Sequence, residues 1–260
     1  MRGMLGKSLL GVAALSALAY AGICALLFFK QRELIYYPDA TQVSARETDY
    51  RLTRDGFGLR GWRLNPGRAR AVIYFGGNAE RLELSREEFA KLFPDRTVYL
   101  LSYRGYGASD GEPDQTALFG DALALYDQVR TQHPQAPIAV IGRSLGSGVA
   151  SYVASRRPVE KLALVTPFDS LAAVAQSHYP AFPVRWLMRD RYESILYLPQ
   201  YRGPLLVLRA GRDEVIPPAN TDTLLASLKN RPQVIDFPLA DHNDISADPR
   251  YAGALREFLR

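Results

Sequence analysis

Residues 142–146 read Gly-Arg-Ser-Leu-Gly, and Ser144 at their centre is the side chain of this 260-residue chain best placed to do chemistry. The five residues follow a short apolar run, Pro137–Ile141, that predicts a buried strand. They precede Leu145–Arg157, whose small residues predict a closely packed helix. A strand that passes into a helix so abruptly must turn where neighbouring side chains have no room, which is what glycines two residues either side of a serine provide. The turn lifts the hydroxyl above the sheet edge. The helix start behind it favours negative charge developing on an attacked carbonyl.

A serine hydroxyl needs a base. His242 lies in Asp241-His242-Asn243-Asp244, between the expected last strand, Val234–Phe237, and the expected closing helix, Pro249–Leu259. The other two histidines suit structural roles: His133 ends a helix before Pro134, and His178 lies in an aromatic, proline-rich stretch. The base in turn needs a carboxylate to hold its tautomer and stabilise the imidazolium. Asp213 follows the predicted strand Leu205–Leu208 and is the first choice. Asp169, after the predicted strand Leu162–Val165, is the alternative acid. Asp241 and Asp244 are too near His242 in sequence to reach its far nitrogen and suit capping roles. Charge on the attacked oxygen needs two backbone donors: Leu145 N–H, next to the nucleophile, and Asn78 N–H, with Ala79 N–H as the next candidate, from Gly76-Gly77-Asn78-Ala79 after the predicted strand Ala71–Phe75.

These residues must be carried by a repeating scaffold. Glu47–Thr53 and Leu59–Asn65 read as a hairpin turning at Asp55-Gly56. Beyond it, continuous apolar strands (also Thr97–Ser102) alternate with amphipathic helices at Ala79–Phe93, Thr116–Thr131 and Ala219–Leu228, the first capped by Asn78. Strands apolar on both faces, separated by helices, predict an α/β fold with a mostly parallel sheet covered on both sides. Residues 168–201 interrupt the rhythm with Trp186, Pro180, Pro183, Pro199 and several tyrosines. That stretch reads either as a lid over the carboxyl ends of the strands or as a crossover helix with a long loop.

Ser8 to Phe29 carries no charge over 22 residues, with Arg2 and Lys7 before it and Lys30 and Arg32 after it. At about 1.5 Å per residue this crosses a hydrocarbon layer of roughly 30 Å. The apolar run continues ten residues past the small-x-small site Ala17-Leu18-Ala19, which favours an uncleaved signal anchor over a cleaved peptide. The expected organisation is an anchor over 1–30, a connecting segment over 31–45 and one α/β domain over 46–260. A slight excess of positive charge before the span places the domain on the exported side.

Composition narrows the chemistry. The chain is 47% hydrophobic with a net charge of +5, yet no run of like charges offers a phosphate track, so nucleic acid is not an expected partner. Cys24 is the sole cysteine, which excludes an intrachain disulfide and a cysteine zinc site, and three histidines make a histidine metal centre improbable. No metal or organic cofactor is expected.

From about Glu47 to Arg260 the chain resembles the α/β-hydrolase superfamily. Gly-Arg-Ser-Leu-Gly-Ser (142–147), Tyr103-Arg104-Gly105-Tyr106-Gly107, Pro167-Phe168-Asp169-Ser170, Gly211-Arg212-Asp213-Glu214 and His242-Asn243-Asp244 resemble its branch of single-pass membrane-anchored serine hydrolases, which includes protein depalmitoylases and lipid hydrolases. The resemblance implies Ser144 as nucleophile, Asp213 as acid and His242 as base. In one place the chain departs from the pattern: members usually carry His-Gly after the third strand, where this chain has Gly76-Gly77. The imidazole that usually braces the oxyanion loop is therefore missing. The expected function is cleavage of carboxylic esters or thioesters, including those of lipid-like or acylated substrates, through an acyl-serine intermediate. A serine peptidase or amidase and a non-catalytic binding protein on the same fold are the rivals.

Overall fold

Alternation along the strands decides how the molecule is layered. The computed structural model describes residues 2–260. Strand β1 (Tyr50–Arg54) turns into β2 (Phe57–Leu64) at Asp55 and Gly56, both with positive φ, the geometry a two-residue hairpin turn requires. Then follow β3 (Arg70–Phe75), β4 (Arg96–Leu101), β5 (Ile138–Arg143), β6 (Leu162–Val165), β7 (Leu205–Ala210) and β8 (Gln233–Phe237). They form one eight-stranded sheet in the order β1-β2-β4-β3-β5-β6-β7-β8, in which β2 runs against both its neighbours and the pairings from β4 to β8 are parallel. This is the α/β-hydrolase fold class expected from the sequence.

Successive residues of each central strand enter different cores, as a period of two demands. In β3, Ala71, Ile73 and Phe75 join one cluster and Val72 and Tyr74 the other; β5 divides Ile138 and Val140 from Ala139 and Ile141 in the same way. The first core is covered by helices at Gln115–Gln132, capped by Asp114, and at Leu145–Arg156. The second is covered by short Arg86–Leu92 and by closing Pro249–Leu259. In chain order α1 is Arg2–Ile35, α2 Arg86–Leu92, α3 Gln115–Gln132, α4 Leu145–Arg156, α5 Leu171–His178, α6 Val184–Leu187, α7 Ser194–Tyr197, α8 Pro218–Ala226 and α9 Pro249–Leu259.

Three local expectations need correction. The helix read over Ala79–Phe93 begins only at Arg86, after a 3-10 turn at Leu82–Ser85; the residues before it form a tight loop with Ala79 at φ 57°, a conformation no helix can contain. Asn78 therefore caps nothing. The first strand begins at Tyr50, because Ser44 and Glu47 close a capping box around the turn Ala45–Glu47. Finally, α1 does not stop at residue 30. It continues unbroken to Ile35, so the connecting segment begins as helix.

Helix α1 is long and apolar enough to cross a membrane. Leu9, Leu10, Val12, Leu15, Leu18, Leu26 and Phe29 are each at least 60% exposed. At roughly 1.5–3 kcal/mol for each such side chain, leaving them in water would cost on the order of 10 kcal/mol or more. The apolar length of α1 is not packed into the core of the domain.

Candidate active site

Parallel pairing from β4 to β8 brings the loops that follow β3, β5, β6, β7 and β8 to one edge of the sheet. Asn78, Ser144, Asp169, Asp213 and His242 lie in those loops, whereas His133 does not. At the centre, β5 ends at Arg143 and α4 begins at Leu145, leaving Ser144 alone in the turn with φ 51° and ψ −120°. A non-glycine residue held there stores about 1–3 kcal/mol of strain, sustained only because its surroundings fix it. The Ser144 N–H donates to Val165 O (2.9 Å), and its carbonyl accepts from Ser147 N–H (2.8 Å) and the Ser147 hydroxyl (2.6 Å). The two glycines are sterically obligatory. A Cβ on Gly146 would overlap the carbonyl oxygens of Phe75 and Gly76, and one on Gly142 would overlap the carbonyl of Gly146.

The loops after β7 and β8 complete a chain of three polar groups. His242 Nε2 lies 2.8 Å from Ser144 Oγ, and His242 Nδ1 lies 2.8 Å from Asp213 Oδ2. The second carboxylate oxygen, Oδ1, accepts from Val215 N–H (3.0 Å) and Ile216 N–H (2.7 Å), so Asp213 is locked by its own loop. Ser144, Asp213 and His242 are each buried, within a few per cent of complete exclusion from water. With a carboxylate on Nδ1, the imidazole carries its proton there and turns a bare Nε2 to the hydroxyl, the arrangement that accepts a proton from serine.

The alternative acid is placed elsewhere. Asp169 Oδ1 accepts from the Asn220 side chain (2.8 Å), and its carbonyl holds Ile195 N–H at the start of α7 (2.9 Å). Its carboxylate makes no hydrogen bond to His242 and serves to join α8 to the segment after β6. Asp241 and Asp244 bond within their own turn: Asp244 Oδ1 accepts from Asp241 N–H, and Asp241 Oδ1 from the Asn243 and Asp244 amides. His178 reaches Val215 O (3.0 Å) on the surface. His133 is buried at the opposite edge, between Tyr99 Oη and Ala69 O.

The loop after β3 faces the serine. A Cβ on Gly77 would lie 3.6 Å from Ser144 Cβ, so this backbone borders the hydroxyl. Among the described residues, neither Asn78 N–H nor Leu145 N–H donates to a protein acceptor. Sequence reasoning missed what holds the loop. The Glu80 carboxylate accepts from Gly77 N–H (2.6 Å) and from Tyr74 Oη (2.7 and 3.0 Å), and lies 3.7 Å from Arg143 Nη1. Arg143 also donates to the carbonyls of His242 (3.3 Å) and Asn243 (3.4 Å), linking the loops that flank Ser144. Burial works against the charge on Arg143, but Glu80 and the phenols of Tyr74 and Tyr251 hold its pKa above the ordinary value. Burial first, then Glu80, pushes Tyr74 well above the usual phenol range, so it remains a donor. Tyr103 Oη, likewise raised by burial, donates to Gly76 O (2.8 Å). A carboxylate thus braces the loop at the place where the resemblance leads one to expect an imidazole.

Asn78 is tied in a further direction. Its side-chain Nδ2 donates to Ile35 O at the end of α1, and its side-chain Oδ1 accepts from Tyr106 Oη (2.6 Å), which itself accepts from Tyr37 N–H (3.0 Å). The end of the apolar helix therefore rests on the loop that borders Ser144.

Known proteins place this arrangement in a family. Residues 70–192 match the α/β-hydrolase fold family. The chain is 34% identical to an uncharacterized protein of Mycobacterium tuberculosis over 96% of this chain and 94% of that one. It is 30% identical to the alpha/beta hydrolase domain-containing protein WAV2 of Arabidopsis thaliana, over 86% of this chain and 84% of that one. Among solved structures, the esterase Pf2001 of Pyrococcus furiosus superposes with a TM-score of 0.64 at 17% identity, covering 84% of this chain and 94% of that one, a likeness of fold. With its sheet order, its strained serine turn and these relatives, the chain belongs to the α/β-hydrolase family.

Proposed function

We propose that the protein is a membrane-anchored serine hydrolase that cleaves carboxylic esters or thioesters through an acyl-serine intermediate. The observation that carries this reading is the unbroken line Ser144 Oγ, His242, Asp213, with 2.8 Å at each junction. His242 Nε2 takes the hydroxyl proton as Ser144 Oγ attacks the acyl carbon. The oxygen of the tetrahedral intermediate gains negative charge and is met by Leu145 N–H and Asn78 N–H, with Ala79 N–H as the alternative to the latter. His242 then protonates the departing alcohol or thiol, the intermediate collapses to an acyl-serine, and water activated by the same imidazole releases the acid. Asp213 stays ionised and holds the imidazolium. Each role uses a group of the chain itself.

Helix α1 supplies the anchor, and the charge excess before Ser8 supports an exported domain; a reporter fused at Arg260 should then be active only outside the cytoplasm. The enzymatic proposal is tested by labelling the full chain with a fluorophosphonate and by assaying p-nitrophenyl esters beside peptide amides. Labelling and ester turnover that vanish in Ser144→Ala are expected. Turnover of amides above esters would favour a peptidase, and a folded chain that resists the probe would favour a binding protein.

A further inference from the structure

The loop that borders Ser144 is closed from within. Glu80 N–H donates to Gly77 O (3.4 Å) and the Glu80 carboxylate accepts from Gly77 N–H (2.6 Å), so one residue shuts the turn that places Asn78 and Ala79. Ala79 sits inside that turn at φ 57°, a conformation that a residue with a Cβ keeps only when its surroundings hold it. The carboxylate also fills the side of the loop toward which a side chain at position 76 would project. A Cβ on Gly76 would lie 2.8 Å from Leu82 Cδ2 and 3.4 Å from Glu80 Oε2, so an imidazole at that position would have to displace both.

A carboxylate is an awkward brace for such a loop. The position of a Gly77 Cβ is 3.3 Å from Glu80 Oε2 and 3.6 Å from Ser144 Cβ, so a single backbone residue separates the carboxylate from the serine side chain. In the hydrolase reading the oxyanion is met by the N–H groups of Asn78 and Leu145, the residues next along from Gly77 and Ser144. A negative charge already held beside them opposes a second one. In a largely buried site, where water screens poorly, that opposition is worth roughly 10–100-fold in rate. Arg143 answers it. Its Nη1 lies 3.7 Å from Glu80 Oε2, and both side chains are largely buried. Burial works against its charge, but Glu80 and the phenols of Tyr74 and Tyr251 raise its pKa, so it stays a cation. Nη2 of the same guanidinium donates to the carbonyls of His242 (3.3 Å) and Asn243 (3.4 Å). The fork thus spans the loop after β3 and the loop after β8, from the residue that immediately precedes Ser144. A lysine, a single point charge, could balance Glu80 but not hold both loops.

We propose that Arg143 is a positioning residue of the hydrolase with two tasks: it cancels the charge that Glu80 brings to the oxyanion side of Ser144, and it ties the loop of the backbone donors to the loop of the base. The inference rests on the serine-hydrolase reading of Ser144. Arg143 acts through Glu80 and through the main chain at His242. Two contacts of a purely structural kind fail independently, so their losses multiply. A compensated charge behaves in the opposite way, because removing the second partner relieves the harm done by removing the first.

The test is a double-variant cycle on the full chain. It reads kcat and KM for p-nitrophenyl acetate, and the Kd of phenylboronic acid, whose tetrahedral adduct with a serine carries the negative charge of the intermediate. Glu80→Gln should lower kcat about 10–100-fold. Arg143→Gln, which leaves the carboxylate unbalanced, should lower kcat about tenfold further with KM within about threefold, and should weaken the boronic acid by a similar factor. The double variant should recover about fivefold or more over Arg143→Gln, and a smaller recovery overturns the proposal. Should Arg143→Gln alone fail to fold by circular dichroism, the double variant should fold and stay within about tenfold of Glu80→Gln in kcat. A double variant that stays unfolded or falls below that limit overturns the proposal too. Arg143→Lys, which keeps the charge and loses the fork, should lie between wild type and Arg143→Gln; kinetics equal to wild type overturn the tie between the loops. A wild-type chain that neither labels at Ser144 nor hydrolyses the ester removes the parent reading, and the role of Arg143 falls with it. Turnover dependent on Ser144, with losses at 80 and 143 that simply multiply, removes the role of Arg143 alone.

Discussion

The two backbone segments that meet across the Ser144 hydroxyl are held by different means. The turn from β5 into α4 is shaped by main chain: Ser144 N–H on Val165 O, and Gly142 and Gly146 where a Cβ would strike a carbonyl. The loop from Gly76 to Glu80 is shaped instead by side chains, its own Glu80 and Asn78 together with Tyr74 and Tyr103. The first arrangement has almost no freedom, because packed backbone yields only by moving whole strands. The second can be adjusted one residue at a time without touching the sheet. An arrangement built this way keeps Ser144 fixed while the loop facing it remains open to change.

The sharpest break in that comparison is expected at Ser144 and the two groups aligned with it. Ser144→Ala and Asp213→Asn should each lower kcat by a factor on the order of 10³–10⁴ or more in an ester assay, whereas Asp169→Asn should cost less than about tenfold. Equal losses at the two aspartates would reassign the acid. Next in size, Gly146→Ala forces a methyl into the Phe75 and Gly76 carbonyls. It should destabilise by more than the roughly 1–3 kcal/mol of ordinary overpacking, read as a fall in the denaturation midpoint. Side-chain bracing predicts a gentler outcome on the other flank. Glu80→Gln, which keeps shape but removes charge from Gly77 N–H and Arg143, should lower kcat about 10–100-fold with KM within about threefold, because the loop acts on charge that exists only in the transition state. Asn78→Ala retains the backbone donor and loses only the tie to Ile35 O and Tyr106. A loss of about two- to fivefold in kcat would show that the tie tunes the loop without forming it.

The same contrast explains which features could be read from the residues. The serine turn announced itself because its constraint is local: glycines at fixed offsets, a strand before and a helix after. Asp213 and His242 were traceable through chain order and through their positions after strands, since a parallel sheet sends all such loops to one edge. Nothing local marked Glu80 or Arg143. Arg143 occupies the unrestricted position of the serine motif, and Glu80 looks like an exposed charge in a helix that, in the event, begins only at Arg86. Their partnership exists only once β3 and β5 lie side by side. The choice between Asp213 and Asp169 was open for a related reason: both follow strands, and Asn220, the residue that engages Asp169, is 51 positions away. The extension of α1 to Ile35 was hidden because hydropathy marks only where an apolar run ends, and the charged residues Lys30, Arg32 and Glu33 that follow it are also good helix formers.

That continuity of α1 has a mechanical meaning. A helix running unbroken through Ile35 is a stiff mast, and Tyr36, Tyr37 and the Asn78 contact clamp the domain to its head. The distance of Ser144 from the apolar length of α1 and its bearing around that helix are then both set by residue count. Adding one residue between Phe29 and Ile35 would raise the domain by about 1.5 Å and swing it by roughly 100° about the mast axis.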